Sequence, residues 1–412
     1  MSAMPGFHRR TPAERLEAAA RLAGLSAEDR DAISGGGIDG AAASRMTENS
    51  VGVFSLPLGI ATNFVVNGRD VLVPMAIEEP SVVAAASRGA KAARPLGGFT
   101  ASAGPPHVTG QVQVVGAAAG SEGAVLAARD EILAAANSVS RTLAGSGRGA
   151  RDVACRWVGA ASCRMLLAEL TVDAGDAMGA NVTNSMCEAV SPIIERATGG
   201  RAVMRILSNY SEVRIARASA AFEAGGTGGP DVVRDMVLAY ELAAADTYRA
   251  VTHNKGVMNG VAAVACAAGQ DTRAIEAAAG AYASRSGRYG PLTEWRVGDG
   301  GRLEGSIELP LAVGVVGGVA GVHPGARACI RMTGARTSGE LACIIASAGL
   351  AQNYAALRAL AAEGIQKGHM RLHARNVAAA AGVPPGDVER VAEEMAAAGD
   401  ISAESARRIA GP

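Results

Sequence analysis

Apolar and polar residues alternate through residues 51–77 on either side of Asn67-Gly68, a dipeptide suited to the positive backbone angles of a tight hairpin turn. Two antiparallel strands joined there are predicted. Glu78-Glu79-Pro80 follows, and Ser81 stands where a side chain can accept from the free amides of a first helical turn. An Ala-rich helix is therefore expected over 82–94. Glu79 falls at a strand-to-helix junction.

The next stretch predicts, in order, a strand over 111–115, a helix over 122–143, strands over 153–158 and 165–172, a helix over 181–198 and a strand over 202–207. That order, βαββαβ, is the split-βαβ, ferredoxin-like pattern. Gly-rich joints near 97–104 and 225–230 flank it, which favours a compact domain inserted into a larger discontinuous one. Helical patterns resume over 231–251 and 272–284, and 294–311 predicts a hairpin around Asp299-Gly300-Gly301. Residues 337–362 predict two helical stretches broken near Gly349. Pro384-Pro385-Gly386 then separates a helix over 369–381 from a tail of two short helices. The expected fold is α+β: a large helix-and-sheet domain from 1–106 and 213–366, an inserted ferredoxin-like domain at 107–212, and a helical C-terminal flap at 367–412.

Composition narrows the class of protein. Of 412 residues, 49% are hydrophobic, only 3% are aromatic and 53 are glycine, so the core must be built from small aliphatic side chains around close backbone contacts. Lys plus Arg equals Asp plus Glu at 39 each, which removes the broad basic field of a nucleic-acid binder and the polybasic patch of a membrane-surface protein. The most apolar window, 309–322, is interrupted by Pro310 and glycines and falls short of the roughly 20 residues that a spanning helix needs. Six cysteines without a CxxC pair fit reduced thiols, and the first ten residues lack an apolar export segment. A soluble, cytoplasmic chain is expected.

Four segments carry candidate chemistry. Lys255 stands among glycines and amides in Thr252-His253-Asn254-Lys255-Gly256-Val257-Met258-Asn259-Gly260, just after a predicted long helix. Such a lysine is ordinarily solvated, but turned inward beside a carboxylate it would stabilise a carbonyl oxyanion. Glu79 ends an apolar strand, where a carboxyl is either surface charge or, if desolvated, a proton donor. His369 and His373 lie four apart on one helix face. That spacing can serve zinc, yet the sequence lacks both the glutamate of HExxH and an obvious third ligand, so a proton donor or a structural pair is favoured over a metal. In Asp176-Ala177-Met178-Gly179-Ala180-Asn181, helix-start amides and Gly179 would admit a phosphate, although the loop does not match GxGxxG.

Together these segments resemble the class II, bacterial and archaeal 3-hydroxy-3-methylglutaryl-coenzyme A reductases. The motifs that carry the resemblance are Glu48-Asn49-Ser50-Val51-Gly52, residues 67–74 with Glu78-Glu79-Pro80-Ser81, residues 176–181, 205–209 and 252–260, Gly364-Ile365-Gln366-Lys367-Gly368-His369-Met370, and residues 372–376. The resemblance implies Glu79 as the proton-transferring carboxylate, Lys255 as the cation over the reacting oxygen, Asp271 as the carboxylate tuning Lys255, and His369 as the acid that protonates the CoA thiolate, with His373 in support. It also implies Ser81, Arg249 and Asn209 as contacts to the acyl group, and Asn259 as a partner of the Lys255–Asp271 pair. The inserted domain would bind a nicotinamide dinucleotide through Asp176, Met178, Gly179 and Asn181, and the flap would bring His369 over a site shared across a homodimer, with larger assemblies of dimers left open. Coenzyme A enters as part of the substrate, and no metal is required.

One departure bears on the cofactor. Where NADH-preferring relatives carry an aspartate near the end of the helix over 130–144, this chain has Ser140 followed by Arg141. Without the acid, and with an arginine beside it, a 2′-phosphate is accommodated, so NADPH is expected in preference to NADH. The rival reading from the same residues is a non-redox CoA thioester transferase or lyase.

Overall fold

Asn67 and Gly68 take left-handed backbone angles, φ 50° and 75°, and turn the chain between two strands as expected. The computed structural model describes residues 1–363 and 365–411; the side chains of residues 363–372 lie outside the described part. Its strands are β1 (Leu58–Val66), β2 (Arg69–Ala76), β3 (Thr100–Ala103), β4 (His107–Val115), β5 (Gly149–Gly159), β6 (Arg164–Asp173), β7 (Arg201–Ser208), β8 (Ile215–Phe222), β9 (Thr293–Val297) and β10 (Leu303–Pro310). They form the β1-β2 hairpin and two four-stranded sheets ordered β3-β8-β10-β9 and β5-β6-β4-β7, with every pairing antiparallel. The fold is α+β.

In the second sheet, the four strands numbered by their own chain order lie 2-3-1-4, the ferredoxin-like arrangement. Alternation decides its buried face: along β4, Val108, Gly110, Val112 and Val114 are buried while their neighbours are half-buried. Val112 and Val114 join Leu166, Leu170, Met186 and Ile194 in a core shared with the helix Ala180–Thr198. The single helix expected over 122–143 is instead three, Ser121–Ala127, Arg129–Ser138 and Arg141–Gly145. The last break comes at Ser140, whose extended backbone (φ −136°) and hydroxyl cap the third piece.

A separate core surrounds the helix Ser338–Arg358, whose residues 341–355 are buried without exception. Gly349 does not break this helix. A Cβ there would come within 2.7 Å of a Val261 methyl, so the glycine is a notch that admits a neighbour rather than a terminus. Gly260 and Gly89 do the same from the other side: added Cβ atoms would lie 2.7 Å from the carbonyl oxygen of Ala348 and 2.2 Å from that of Ala351. Three helices, Val82–Ala93, Thr247–Ala267 and Ser338–Arg358, are thereby packed nearly backbone to backbone, as the abundance of glycine and alanine anticipates. A third, small core joins the C-terminal helices Ile365–Ala380, Val388–Ala398 and Ala403–Ala410 through Ala374, Val391, Met395 and Ala406. Among the described residues, no helix is long and apolar enough to cross a membrane.

Candidate active site

Glu79 lies in the turn between β2 and the helix Val82–Ala93. Ser81 does not cap that helix: its backbone is left-handed (φ 73°), not the extended conformation of a side-chain N-cap, and its hydroxyl makes no capping bond. A non-glycine residue there is strained, of the kind that persists where surrounding structure over-determines it. Glu78 is exposed and Glu79 half-buried, so the second carboxylate is the one turned toward the protein.

The lysine segment is helical, contrary to the expectation of a joint following a long helix. The break comes earlier, at Asp246, whose side chain accepts from Arg249 N at 2.7 Å and starts the helix Thr247–Ala267. The segment stays helical through Gly256 and Gly260 because the missing side chain of Gly260 is what the neighbouring helix requires. Lys255 and Asn259, one turn apart, share a face. Lys255 Nζ donates to Glu79 Oε2 at 2.5 Å, and Asn259 Nδ2 donates to Glu79 Oε1 at 3.2 Å. Both carboxylate oxygens are thus engaged while the ammonium stays accessible, with 59% of the Lys255 side chain exposed. A cation that can swing to an incoming oxygen, beside a carboxylate able to exchange a proton with it, suits reduction of a carbonyl.

The other expected members are arranged differently. Asp271 caps the helix Thr272–Ala283: its Oδ1 accepts from Arg273 N and Ala274 N at 3.1 Å, and the Arg273 guanidinium lies 3.2 Å away. Among the described residues Lys255 is paired with Glu79, Asn259 also binds Glu79, and the hydrogen bonds of Asp271 are those of its own helix cap. Arg249 is half-buried earlier on the lysine helix, and Asn209 is exposed just beyond β7; both stand outside the hydrogen-bonded cluster. The His369 side chain lies outside the described residues. His373, one turn on, is exposed.

The loop before the helix Ala180–Thr198 has the backbone the sequence called for. Gly179 sits at φ 97°, and a Cβ there would lie 2.5 Å from Ala174 Cβ and 3.1 Å from a Val108 methyl, so both the backbone angle and the close packing require glycine at this position. A dinucleotide phosphate fits such a site. Asn181 is exposed on the first turn. Asp176 is committed elsewhere: its Oδ1 accepts from Ser338 N at 3.0 Å, and its other oxygen lies 3.7 Å from Arg148. Met178 contributes its carbonyl to Arg214 at 2.9 Å. Ser140 accepts from Leu143 N at 3.3 Å and leaves Arg141 exposed beside it.

One feature escaped the sequence reading. A cavity of about 1760 Å³ opens along the helix that Glu79 precedes, walled by Val83, Ser87, Arg88 and Lys91 and reaching Cys266 at the far end of the lysine helix. It does not include Glu79 or Lys255. The signal was present in Arg88 and Lys91, three apart on a helix and hence on one face. Among the described residues no group of three or more His, Cys, Asp or Glu is placed to hold a metal ion.

The hydroxymethylglutaryl-coenzyme A reductase family model matches residues 11–374. The 3-hydroxy-3-methylglutaryl-coenzyme A reductase of Archaeoglobus fulgidus is 50% identical over 381 residues, 92% of this chain and 87% of that protein. The probable reductase of Borreliella burgdorferi is 34% identical over 337 residues, 81% of this chain and 77% of that one. Among solved structures, the 3-hydroxy-3-methylglutaryl-coenzyme A reductase of Streptococcus pneumoniae superposes with a TM-score of 0.85 at 36% identity and 99% coverage of both chains. A structure of the class II enzyme from that organism, bound to NADPH in open conformations, superposes with a TM-score of 0.83 at 37% identity, covering 87% of this chain and 99% of that one. On this agreement of sequence and structure over most of its length, the chain belongs to the hydroxymethylglutaryl-coenzyme A reductase family.

Proposed function

We propose that this chain is a class II reductase that interconverts 3-hydroxy-3-methylglutaryl-CoA with mevalonate and CoA, using a reduced nicotinamide. The observation that carries the reading is the Lys255–Glu79–Asn259 cluster, an exposed cation held against a carboxylate, with a separate cavity of about 1760 Å³ opening along the helix that Glu79 precedes. Taking a thioester to an alcohol requires four electrons, supplied as hydride by two reduced nicotinamides in turn. In each step negative charge gathers on a carbonyl oxygen, and Lys255 stabilises it while Glu79 exchanges the proton. Asn259 keeps Glu79 oriented when the lysine turns to substrate. Asp271 tunes the lysine in the substrate-bound state, and His369 protonates the departing CoA thiolate. Ser81, Arg249 and Asn209 hold the acyl group, and Arg88 and Lys91 are cations suited to the phosphates of coenzyme A.

The dinucleotide is assigned to Asp176, Met178, Gly179 and Asn181, with Ser140 and Arg141 at the adenosine end. NADPH is favoured over NADH; the NADPH-bound pneumococcal relative supports this, as does the absence of an acid at position 140. The reading includes a cytoplasmic homodimer with the site at its interface. It divides the chain into a large domain (1–106 and 213–366), a cofactor domain (107–212) and a flap (367–412), supported by the separate hydrophobic cores. The test is absorbance of the reduced nicotinamide with 3-hydroxy-3-methylglutaryl-CoA. Two cofactors oxidised per CoA released are expected, and release of CoA without oxidation would overturn the reading in favour of a transferase or lyase.

A further inference from the structure

Arg214 is 4% exposed, and its guanidinium spreads over three backbone carbonyls from two parts of the chain: Met178 at 2.9 Å, Ala177 at 3.0 Å and Val313 at 2.5 Å. Burial pulls this group down to about 10, still charged at neutral pH. A planar fork of five donors holds three carbonyls in fixed directions and at a spread that lysine, with three donors on a single nitrogen, does not reproduce. The two segments it joins are the loop before the helix Ala180–Thr198 and the stretch following β10.

That stretch is gripped from the opposite side by Gln270. Its amide donates to Gly314 O at 2.9 Å and accepts from Gly314 N at 2.8 Å, a paired bond that fixes both polar groups of one residue. Gly314 in turn rests on the loop, for an added Cβ would lie 2.6 Å from Met178 N. Val315 N and Val316 N donate to Asp176 O at 2.8 and 3.3 Å. Ser338 closes the other flank, donating from its amide to Asp176 Oδ1 and from its hydroxyl to Gly175 O, each at 3.0 Å. An unbroken run of short bonds thus leads from Gln270, the neighbour of Asp271, through residues 313–316 to the start of the helix Ala180–Thr198.

We propose that residues 313–316, held by Gln270 and Arg214, form a strap that sets the position of the dinucleotide-binding loop relative to the lysine site, with Gln270 and Arg214 as positioning residues for hydride transfer. The inference rests on the assignment of residues 176–181 to the cofactor. Neither residue touches a reacting atom. Their effect is geometric, and misplacement by about 1 Å at a hydride-transfer site costs on the order of 100-fold in rate.

The experiment compares Gln270→Glu and Arg214→Lys with the parent enzyme. Gln270→Glu keeps the acceptor for Gly314 N but removes the donor to Gly314 O and to Ala268 O, so it loosens the grip on residue 314 with little change in volume. The expected result is a rise of about 10-fold in the NADPH dissociation constant, measured by cofactor fluorescence, as befits loss of the hydrogen bonds donated by the Gln270 amide. The KM for 3-hydroxy-3-methylglutaryl-CoA should hold, and the isotope effect on kcat with NADPH deuterated at the transferred position should increase. Arg214→Lys should show the same pattern more strongly. If both variants lose only thermal stability, with NADPH affinity and isotope effect as in the parent, the strap is merely structural and the proposal is overturned. Failure of the parent itself to bind NADPH would instead remove the proposed function.

Discussion

Lys255 Nζ lies 2.5 Å from Glu79 Oε2 although 176 residues separate them in the chain. Lys255 lies on one helix and Glu79 in the turn that leads into another, and both helices are locked onto Ser338–Arg358 by glycines that leave no room for a side chain. The geometry of the pair is therefore a property of the packing. It is also poised: with 59% of the lysine side chain and 31% of the glutamate side chain exposed, the ion pair is solvent-screened and contributes little to stability, which frees its lysine for an incoming oxygen.

Lys255→Ala should accordingly leave the fold intact and remove both reductive steps. Loss of an oxyanion partner predicts a fall in kcat of at least about 100-fold, for the thioester and for added mevaldehyde alike. Steady-state rates with each substrate, alongside circular dichroism, check this; mevaldehyde reduction near the parent rate would take Lys255 out of the second step.

Gly260→Ala tests the packing rather than the chemistry. Its Cβ would meet Ala348 O at 2.7 Å and Gln352 Cβ at 2.8 Å, so the helices must part. Overpacking of this kind costs about 1–3 kcal/mol, which should appear as a lower urea midpoint. An unchanged midpoint would mean that the helices accommodate the methyl without strain.

His253 supplies a pH dependence. It is 1% exposed, its Nε2 lies 2.7 Å from Thr293 Oγ1, and Thr293 donates onward to Asn353 Oδ1, so Nε2 carries the proton and donates. Among the described residues its Nδ1 is buried without a partner, and burial, aided by the nearby Arg249 charge, pushes its pKa down from 6.5 to about 4. Because the unfolded chain binds this proton more readily, stability is full above about pH 6.5 and is lost progressively as pH falls toward 4, by about 3 kcal/mol from this group. Urea midpoints from pH 7 to 4 should show the decline, and His253→Gln, which can still donate to Thr293, should flatten it. Parallel declines in parent and variant would assign the acid sensitivity to other groups.

Ser140→Asp addresses cofactor choice. Aspartate also caps helices, so the piece Arg141–Gly145 should persist. Its charge would repel a 2′-phosphate and compete for Arg141, shifting the kcat/KM ratio toward NADH by about tenfold. A ratio that does not move would show that the adenosine end of the cofactor lies elsewhere.

How much of this was legible in advance can be followed residue by residue. Asn67-Gly68, the alternation along β4, the helix following Gly179 and the hairpin at Gly300-Gly301 were all readable, because turn preference and side-chain periodicity act within a few residues of the chain. The motifs around Glu79, Lys255 and His369 were readable too, as a family resemblance. What the sequence could not reveal is what each glycine faces: Gly349 looked like a break and the segment ending at Gly260 like a stretch beyond a helix, yet both glycines lie inside helices with another helix in the space beside them. For the same reason Ser81 resembled a cap and is instead a left-handed turn, and the bond from Asn259 to Glu79 had no local signal. Local chemistry determined the elements, and the family resemblance named the candidate groups. Which groups meet was decided only by the packing of helices far apart in the chain, since the close approach of two backbones leaves no local trace beyond the glycine that permits it.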